Sequence, residues 1–373
     1  MHPRNNPVIL ILIVALALTV GFAFGQQQDQ VSPGELETLP RATSSVEGPT
    51  QSLPATTTTP SVSTTQPRGS QPTQTRPPAT GTGQELERQG EQYVMRKDVQ
   101  EVQLYATVYD QHQRMITNLN RNDFAVFEDN QPQQITSFHL MDVPVSLGII
   151  IDNSGSMRDK RAAVNEAALN LVRSSNPQDE VFVVNFSDEM WLDQDYTNDI
   201  GKLKEALEKI DSRGGTALYD AVIASADHLA KTGTKDKKVL VVVTDGEDNA
   251  SRESLERAVR MLQDQNGPVV YTIGILGDDR EAKRAKRALT QLSLETGGVY
   301  FFPRDASEVD EISRAVAHDI RNQYIIGYKP TNPQVNGGYR TVKVEAKASG
   351  YGRLQVRTRS GYYAEQQRAA KQQ

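Results

Sequence analysis

The sequence predicts an α/β fold: a doubly wound, mostly parallel sheet inserted into a small all-β, sandwich-like module formed by both flanks. Three observations carry this. Near-continuous apolar runs at 147–151, 181–186, 239–243, 269–275 and 299–302 alternate with stretches of helical periodicity, as parallel strands covered on both faces do. Before residue 145 and after 322, apolar and polar residues alternate singly, the period of half-buried strands. Finally, the first apolar run stops abruptly at Asp152-Asn153-Ser154-Gly155-Ser156. Alternation brings Asp152, Ser154 and Ser156 together above the strand's carboxyl end, which is where open α/β sheets bind ligands.

At 373 residues the chain is long enough for one sizeable domain, a smaller one and tails. A hydrophobic fraction of 37% is low for a wholly globular protein and assigns part of the length to unstructured segments. The formal net charge of −6 excludes nucleic acid as a partner by bulk electrostatics. The absence of cysteine excludes disulfides, thiolate metal sites and cysteine nucleophiles.

Residues 1–25 read as an export signal: Arg4 supplies positive charge, 8–24 is almost uninterruptedly apolar, and Ala23-Phe24-Gly25 places small residues where a signal peptidase reads. The same segment also reads as an uncleaved anchor at the lower limit of spanning length. Either way the chain is expected in the periplasm, the cell envelope or outside the cell. Residues 26–90 are rich in Thr, Pro, Ser, Gln and Gly. They cannot bury enough apolar surface to offset chain entropy, and are expected to be a disordered, extended linker.

The first half of the β module is expected over 98–141. There Val102, Leu104, Ala106 and Val108 alternate with Gln103, Tyr105, Thr107 and Tyr109, and further strands are expected at 124–127 and 134–140. The α/β domain is expected over 145–322. Its helical stripes are Ile200, Leu203, Leu207 and Ile210; Leu255, Ala258, Val259 and Leu262; and Val309, Ile312, Val316 and Ile320. A short edge strand is expected at 191–196. The second half of the β module, 323–364, has strands at 324–328, 341–346 and 354–358, and 365–373 reads as a disordered tail. Three strands alone make a poor core, so the six are expected to close into one sandwich.

Two further signals fall at strand ends. Gly214-Gly215-Thr216 precedes a helix beginning near Leu218, and Thr244-Asp245-Gly246 follows the run at 239–243. If the loops converge, Asp152, Ser154, Ser156, Thr216 and Asp245 form a set of hard oxygen donors without histidine or cysteine. That set suits magnesium, manganese or calcium better than zinc or copper. Blander roles exist for the same residues: Ser154 and Ser156 as helix caps, Asp245 as turn chemistry before Gly246. Asp188, Asp220 and Asp248 read as loop or helix positions, and the basic run 280–287 as a solvated helix face. His112, His139, His228 and His318 are scattered, with no carboxylate and nucleophile in a recognisable arrangement.

The motif Asp152-x-Ser154-x-Ser156, followed by Thr216 and then Asp245, resembles the metal-ion-dependent adhesion site of von Willebrand factor type A domains. The phrases Gly-Gly-Thr-Ala-Leu-Tyr-Asp at 214–220 and Thr-Asp-Gly at 244–246 are similar to those of bacterial members. The resemblance covers roughly residues 145–320. The flanks, with Asp-Phe-Ala-Val-Phe-Glu-Asp at 123–129 and Gly361-Tyr362-Tyr363, are similar to a bacterial envelope subfamily called VWFA-related. The resemblance implies that Ser154 and Ser156 bind the metal directly, Asp152 and Asp245 directly or through water, and Thr216 in a ligand-bound arrangement. It implies a divalent cation, magnesium first, with manganese or calcium as alternatives.

The expected function is an exported, metal-dependent protein-binding module rather than an enzyme. Its partner is a protein offering an Asp or Glu carboxylate, and it meets a membrane only through residues 1–25 if these stay uncleaved. The alternative is a magnesium-dependent hydrolase or phosphotransferase using Asp152 as nucleophile. Against it, the sequence has no Gly-x-Ser-x-Gly elbow and no phosphate loop. A third reading makes the metal purely structural.

Overall fold

The branched run at the start of the α/β region has no polar break, and it builds one long central strand, β7 (Val145–Asp152), buried along its whole length. The computed structural model describes residues 86–89, 92–95, 101–208, 212–277, 279–332 and 338–364. The expected export segment, nearly all of the expected linker and the tail 365–373 lie outside the described residues.

From β7 the chain runs through α1 (Arg161–Arg173), β8 (Glu180–Phe186), β9 (Met190–Thr197), α2 (Ile200–Glu208), α3 (Leu218–Thr232) and β10 (Lys237–Thr244). It continues through α4 (Leu255–Leu262), β11 (Val269–Gly274), α5 (Arg280–Leu294), β12 (Tyr300–Phe301) and α6 (Val309–Arg321). The strands lie in the order β12-β11-β10-β7-β8-β9. All neighbours are parallel except the edge strand β9, which runs antiparallel to β8. The chain builds outward from β7 on one side and then returns to β10 on the other. The carboxyl ends of β7 and β10 therefore flank the point where strand order reverses.

Both faces of this sheet are covered. Leu147, Ile149 and Ile151 pack with Val164 and Leu171 of α1 and Ile312 and Val316 of α6. Ile150 and Phe182 pack with Leu218 and Val222 of α3 and Leu289 of α5. Gly148 makes room on the second face, since a Cβ there would lie 2.4 Å from Phe182 Cζ and 2.6 Å from Leu240 Cδ2.

The flanks supply β3 (Val102–Tyr109), β4 (Phe124–Glu128), β5 (Gln131–Gln133) and β6 (Ile135–Leu140) before the insertion. After it come β13 (Tyr324–Tyr328), β14 (Tyr339–Ala346), β15 (Gln355–Arg357) and β16 (Gly361–Tyr363). They form two antiparallel four-stranded sheets, β15-β3-β13-β6 and β16-β14-β4-β5, around a core that includes Leu104, Val126, Tyr324, Ile326, Val344 and Tyr362. The module thus has eight strands where six were expected. The additional β5 is created by Asp129 and Asn130, both left-handed at φ +48° and +62°, the backbone of a tight hairpin turn. At the end of the expected linker, β1 (Leu86–Gln89) and β2 (Gln92–Met95) pair antiparallel, so strand structure begins a few residues before residue 90.

Buried charges join the pieces. Glu128, inside the sandwich, accepts hydrogen bonds from Arg340 Nη1 at 2.9 Å and from the hydroxyls of Tyr328 and Tyr362 at 2.7 Å each. Between sandwich and α/β domain, Asp319 of α6 is bonded by Tyr271 of β11, by Thr107 and Tyr109 of β3, and by Arg357 of β15.

Lys237 sits nearby, only 2% exposed. Its ammonium donates to the Ile320 carbonyl in the last turn of α6 and lies 5.1 Å from the centre of the Tyr105 ring. Burial pulls its pKa down from 10.5 to about 8, against the charges of Asp319, Asp142 and Asp179. Between these two values the unfolded chain holds a proton at this lysine that the folded chain does not. Folding stability is therefore expected to rise with pH from about 8 to 10.5, by on the order of 3 kcal/mol. Urea melts across that window should show the rise in wild type and lose it in Lys237→Met. Parallel curves for the two proteins would refute it.

Candidate metal centre

The strand β7 carries its apolar register through Ile151 and delivers Asp152 fully buried at its carboxyl end. Asp152 Oδ1 accepts from the Ser154 amide at 2.8 Å, and Oδ2 accepts from the Thr244 hydroxyl at 2.5 Å. Burial pushes the Asp152 carboxyl above its ordinary value and the Asp245 charge adds to that, while the bonds from Thr244 and Ser154 work the other way. The helix α1 does not follow at once. A 3-10 turn, Gly155–Met157, intervenes, and α1 begins only at Arg161, after Lys160 at its N-cap. Neither serine caps a helix: Ser154 flanks the short turn without a side-chain capping bond.

The serine hydroxyls are turned toward one another instead, with Ser154 Oγ 3.1 Å from Ser156 Oγ. Ser156 Oγ donates to Asp245 Oδ1 at 2.7 Å. Asp152, Ser154, Ser156 and Asp245 are thus one connected cluster, formed by loops 89 residues apart in sequence. Thr216 is in the adjoining loop. Its hydroxyl faces Gly246, where an added Cβ would lie 3.3 Å from Thr216 Oγ1. Asn249 clasps the Thr216 backbone from both sides, its side-chain Oδ1 accepting from the Thr216 amide at 2.9 Å and its backbone N–H donating to the Thr216 carbonyl at 3.0 Å. Gly214, at φ +80°, takes a left-handed turn that favours glycine and receives the Gly155 amide on its carbonyl at 3.4 Å.

The carboxylates left aside at the outset are spent on these loops. Asp188 accepts from the Gly215 amide, Asp248 from the Tyr219 amide and the Ser251 hydroxyl, and Asp220 from the amides of Arg252 and Glu253. The basic run is a solvated helix face as expected, and from it Arg284, 52% exposed, pairs with Glu247 beside Gly246. His228 is engaged by Asp195 at 3.0 Å and stacks on Tyr196.

Sequence reasoning gave no role to Thr244, Lys160 or Asn249. Thr244 stood within the Thr-Asp-Gly phrase and was legible as a hydroxyl one residue before a carboxylate. Lys160, whose ammonium pairs with Asp245 Oδ2, carried no local signal.

The donor set fits a hard divalent cation. Oxygen ligands at about 2.1 Å and right angles stand about 3 Å apart, and the spacings here are 3.1 and 2.7 Å. Among the described residues no three His, Cys, Asp or Glu side chains gather as a metal-binding group, so hydroxyls must complete any such shell.

The family model of the von Willebrand factor type A domain matches residues 147–315. Similar solved structures include proximal thread matrix protein 1 from the mussel byssus, at 18% identity, 49% of each chain covered and a TM-score of 0.41. An aerotolerance-related membrane protein from Bacteroides fragilis is 19% identical, with 47% of this chain and 98% of that one covered and a TM-score of 0.39. A von Willebrand factor type A protein from Catenulispora acidiphila is 18% identical, with 67% and 76% covered and a TM-score of 0.42. The match spans about half the length of the mussel protein. No curated protein matches the chain. Residues 147–315 are thus similar in sequence to von Willebrand factor type A domains.

Proposed function

We propose that this chain is an exported, metal-dependent protein-binding module. Its Asp152, Ser154, Ser156, Thr216 and Asp245 would hold a divalent cation, magnesium first, that captures an acidic side chain of a partner protein. The observation that carries this reading is the hydroxyl-rich oxygen cluster at the switch point of the sheet. Hydroxyl ligands are neutral, so a bound cation keeps much of its charge for an incoming carboxylate. Magnesium also holds waters that such a carboxylate can replace. The chain's own part is to fix the hydroxyls, orient the buried Asp152 carboxyl through Thr244 and the Ser154 amide, and hold Thr216 in place through Asn249. This is binding chemistry, with no bond broken. The apolar segment at 8–24 supports export to the envelope or beyond.

The test is titration calorimetry with magnesium and manganese, followed by capture of partners from an envelope extract on the immobilised chain. Saturable heats in wild type, weakened in Thr216→Ala, and capture reversed by a chelator are expected. Capture indifferent to chelator and to Thr216→Ala would overturn the reading. Asn249→Ala, which touches none of the donor oxygens, is expected to weaken metal binding by roughly 10- to 100-fold, as loss of an outer-shell partner does. Asn249→Asp retains the acceptor for the Thr216 amide and should recover most of the affinity. Equal metal affinities in wild type and Asn249→Ala would deny Asn249 this role.

A further inference from the structure

At the opposite end of the sheet, by the amino ends of β10 and β11, a cavity of about 380 Å³ opens against the outer face of β3. That volume lies within the range of small-molecule sites, roughly 300–1,000 Å³. Its walls include three cations: Arg359, only 7% exposed, and the half-buried Lys235 and Lys238. Among the described residues, none of the three forms an ion pair with a carboxylate. Among the described residues Arg359 donates only to backbone carbonyls: from Nε to Gly361 at 3.2 Å, from Nη1 to Gln265 at 2.8 Å and from Nη2 to Asp264 at 2.6 Å. A guanidinium has five N–H donors, so two are left over.

Two acids also line the cavity. Glu101 is engaged by the hydroxyls of Thr136 and Ser137, and Asp236 is exposed. Gln103 and Tyr105 of β3 supply the facing wall.

A buried cation without a counter-charge is costly unless something compensates it. The cost is visible at Arg359, whose pKa burial draws down from 12.5 to about 10 even though the charge of Asp264, with which it forms no ion pair, works the other way. The planar fork of arginine matches carboxylate and phosphate oxygens better than any other side chain does, and the two lysines add point charge beside it. Arg359 also braces the segment between α4 and β11 through Asp264 and Gln265, and that bracing accounts for two of its donors, the third going to the Gly361 carbonyl of β16. It does not account for Lys235 and Lys238.

We propose that this cavity is a binding site for a small oxyanion, a ligand presenting a phosphate or a carboxylate group to Arg359, Lys235 and Lys238. The site is separate from the metal centre, which lies at the carboxyl ends of the strands.

Calorimetric titration of the metal-stripped chain with inorganic phosphate and, separately, with succinate tests this. Sodium chloride at equal ionic strength serves as the control. One-to-one saturable binding of at least one anion is expected, and the stronger of the two identifies the ligand chemistry. The Lys235→Gln/Lys238→Gln double variant changes only partly exposed side chains and should lose roughly tenfold or more in affinity, the worth of one or two charged hydrogen bonds. Arg359→Lys keeps the charge, loses the fork and should weaken binding similarly. If that variant fails to fold, the double variant alone decides. Absence of saturable binding by both anions, or wild-type affinity in the double variant, would overturn the proposal. Because the protein is stripped of metal, either result leaves the reading of the metal centre untouched.

Discussion

Arg357→Ala is expected to cost the folded chain about 3–5 kcal/mol, the loss seen when one member of a buried ion pair is removed. Arg357 Nη2 donates to Asp319 Oδ1 at 2.6 Å and to Thr107 at 3.1 Å, Nη1 to Tyr109 at 3.0 Å, and Nε to the Gly297 carbonyl at 3.3 Å. One side chain thereby ties β15 and β3 of the sandwich to α6 and the β11–β12 side of the α/β domain. Without it, Asp319 remains buried with hydroxyl donors alone. Burial acts to raise the Asp319 carboxyl, but Arg357 and the Tyr271 hydroxyl outweigh it and hold the group below its ordinary value of 3.8. A carboxylate depressed in the folded state adds stability above its unfolded pKa, and that contribution fades as pH falls through the folded value. In Arg357→Ala burial prevails, so the acid limb of the stability curve should also move to higher pH. Urea melts between neutral and acid pH measure both effects. A loss below about 1 kcal/mol, close to an ordinary surface change, would show that the network does not bind the two modules. Asp319→Leu combined with Arg357→Met, which removes both charges, should recover much of the loss.

Asp152→Asn is expected to abolish metal-linked stabilisation while leaving the metal-free fold no weaker. With magnesium at about a hundredfold its dissociation constant, wild type should gain about 2.7 kcal/mol, and the variant nothing. In chelator the order should reverse at neutral pH. Asp152 is buried beside Asp245 and its folded pKa is raised, so its ionised form costs stability there, and an amide removes that cost. Thermal melts of both proteins with magnesium and with chelator give the four values needed. An equal metal-induced shift in the variant would remove Asp152 from the ligand set.

Much of this arrangement could be read from residue patterns, and what escaped has a common cause. The apolar run ending at Asp152 announced a buried parallel strand, and the polar phrase after another such run announced Asp245; Thr216 was announced by the Gly-Gly-Thr phrase before a helix, and it lies between α2 and α3 rather than at the strand end expected of it. These are local signals. The clasp of Asn249 on Thr216 and the pairing of Lys160 with Asp245 join loops distant in sequence, so no periodicity marks them. Arg357 and Asp319 look like solvated positions because a single charged residue on an edge strand or helix normally is one; only the meeting of two modules buries them. The short strands β5 and β16 have three residues each, too few to show alternation.

The insertion also fixes an order of assembly. In the sheet β15-β3-β13-β6 the two strands made before the insertion, β3 and β6, do not pair with each other; β13 lies between them and pairs with both. A chain still emerging from a ribosome or an export channel therefore presents two unpaired strand edges, the kind of surface that invites intermolecular pairing. They stay unpaired until Tyr324–Tyr328 follows. The inserted domain can fold in that interval from contacts of its own. Its last helix then hands the chain directly to β13, whose first residue Tyr324 settles opposite Leu140, the last residue before the departure. Closure of the sandwich thus requires that the whole insertion has already been made. A molecule stalled or truncated before residue 324 is the species that aggregation and proteolysis would remove.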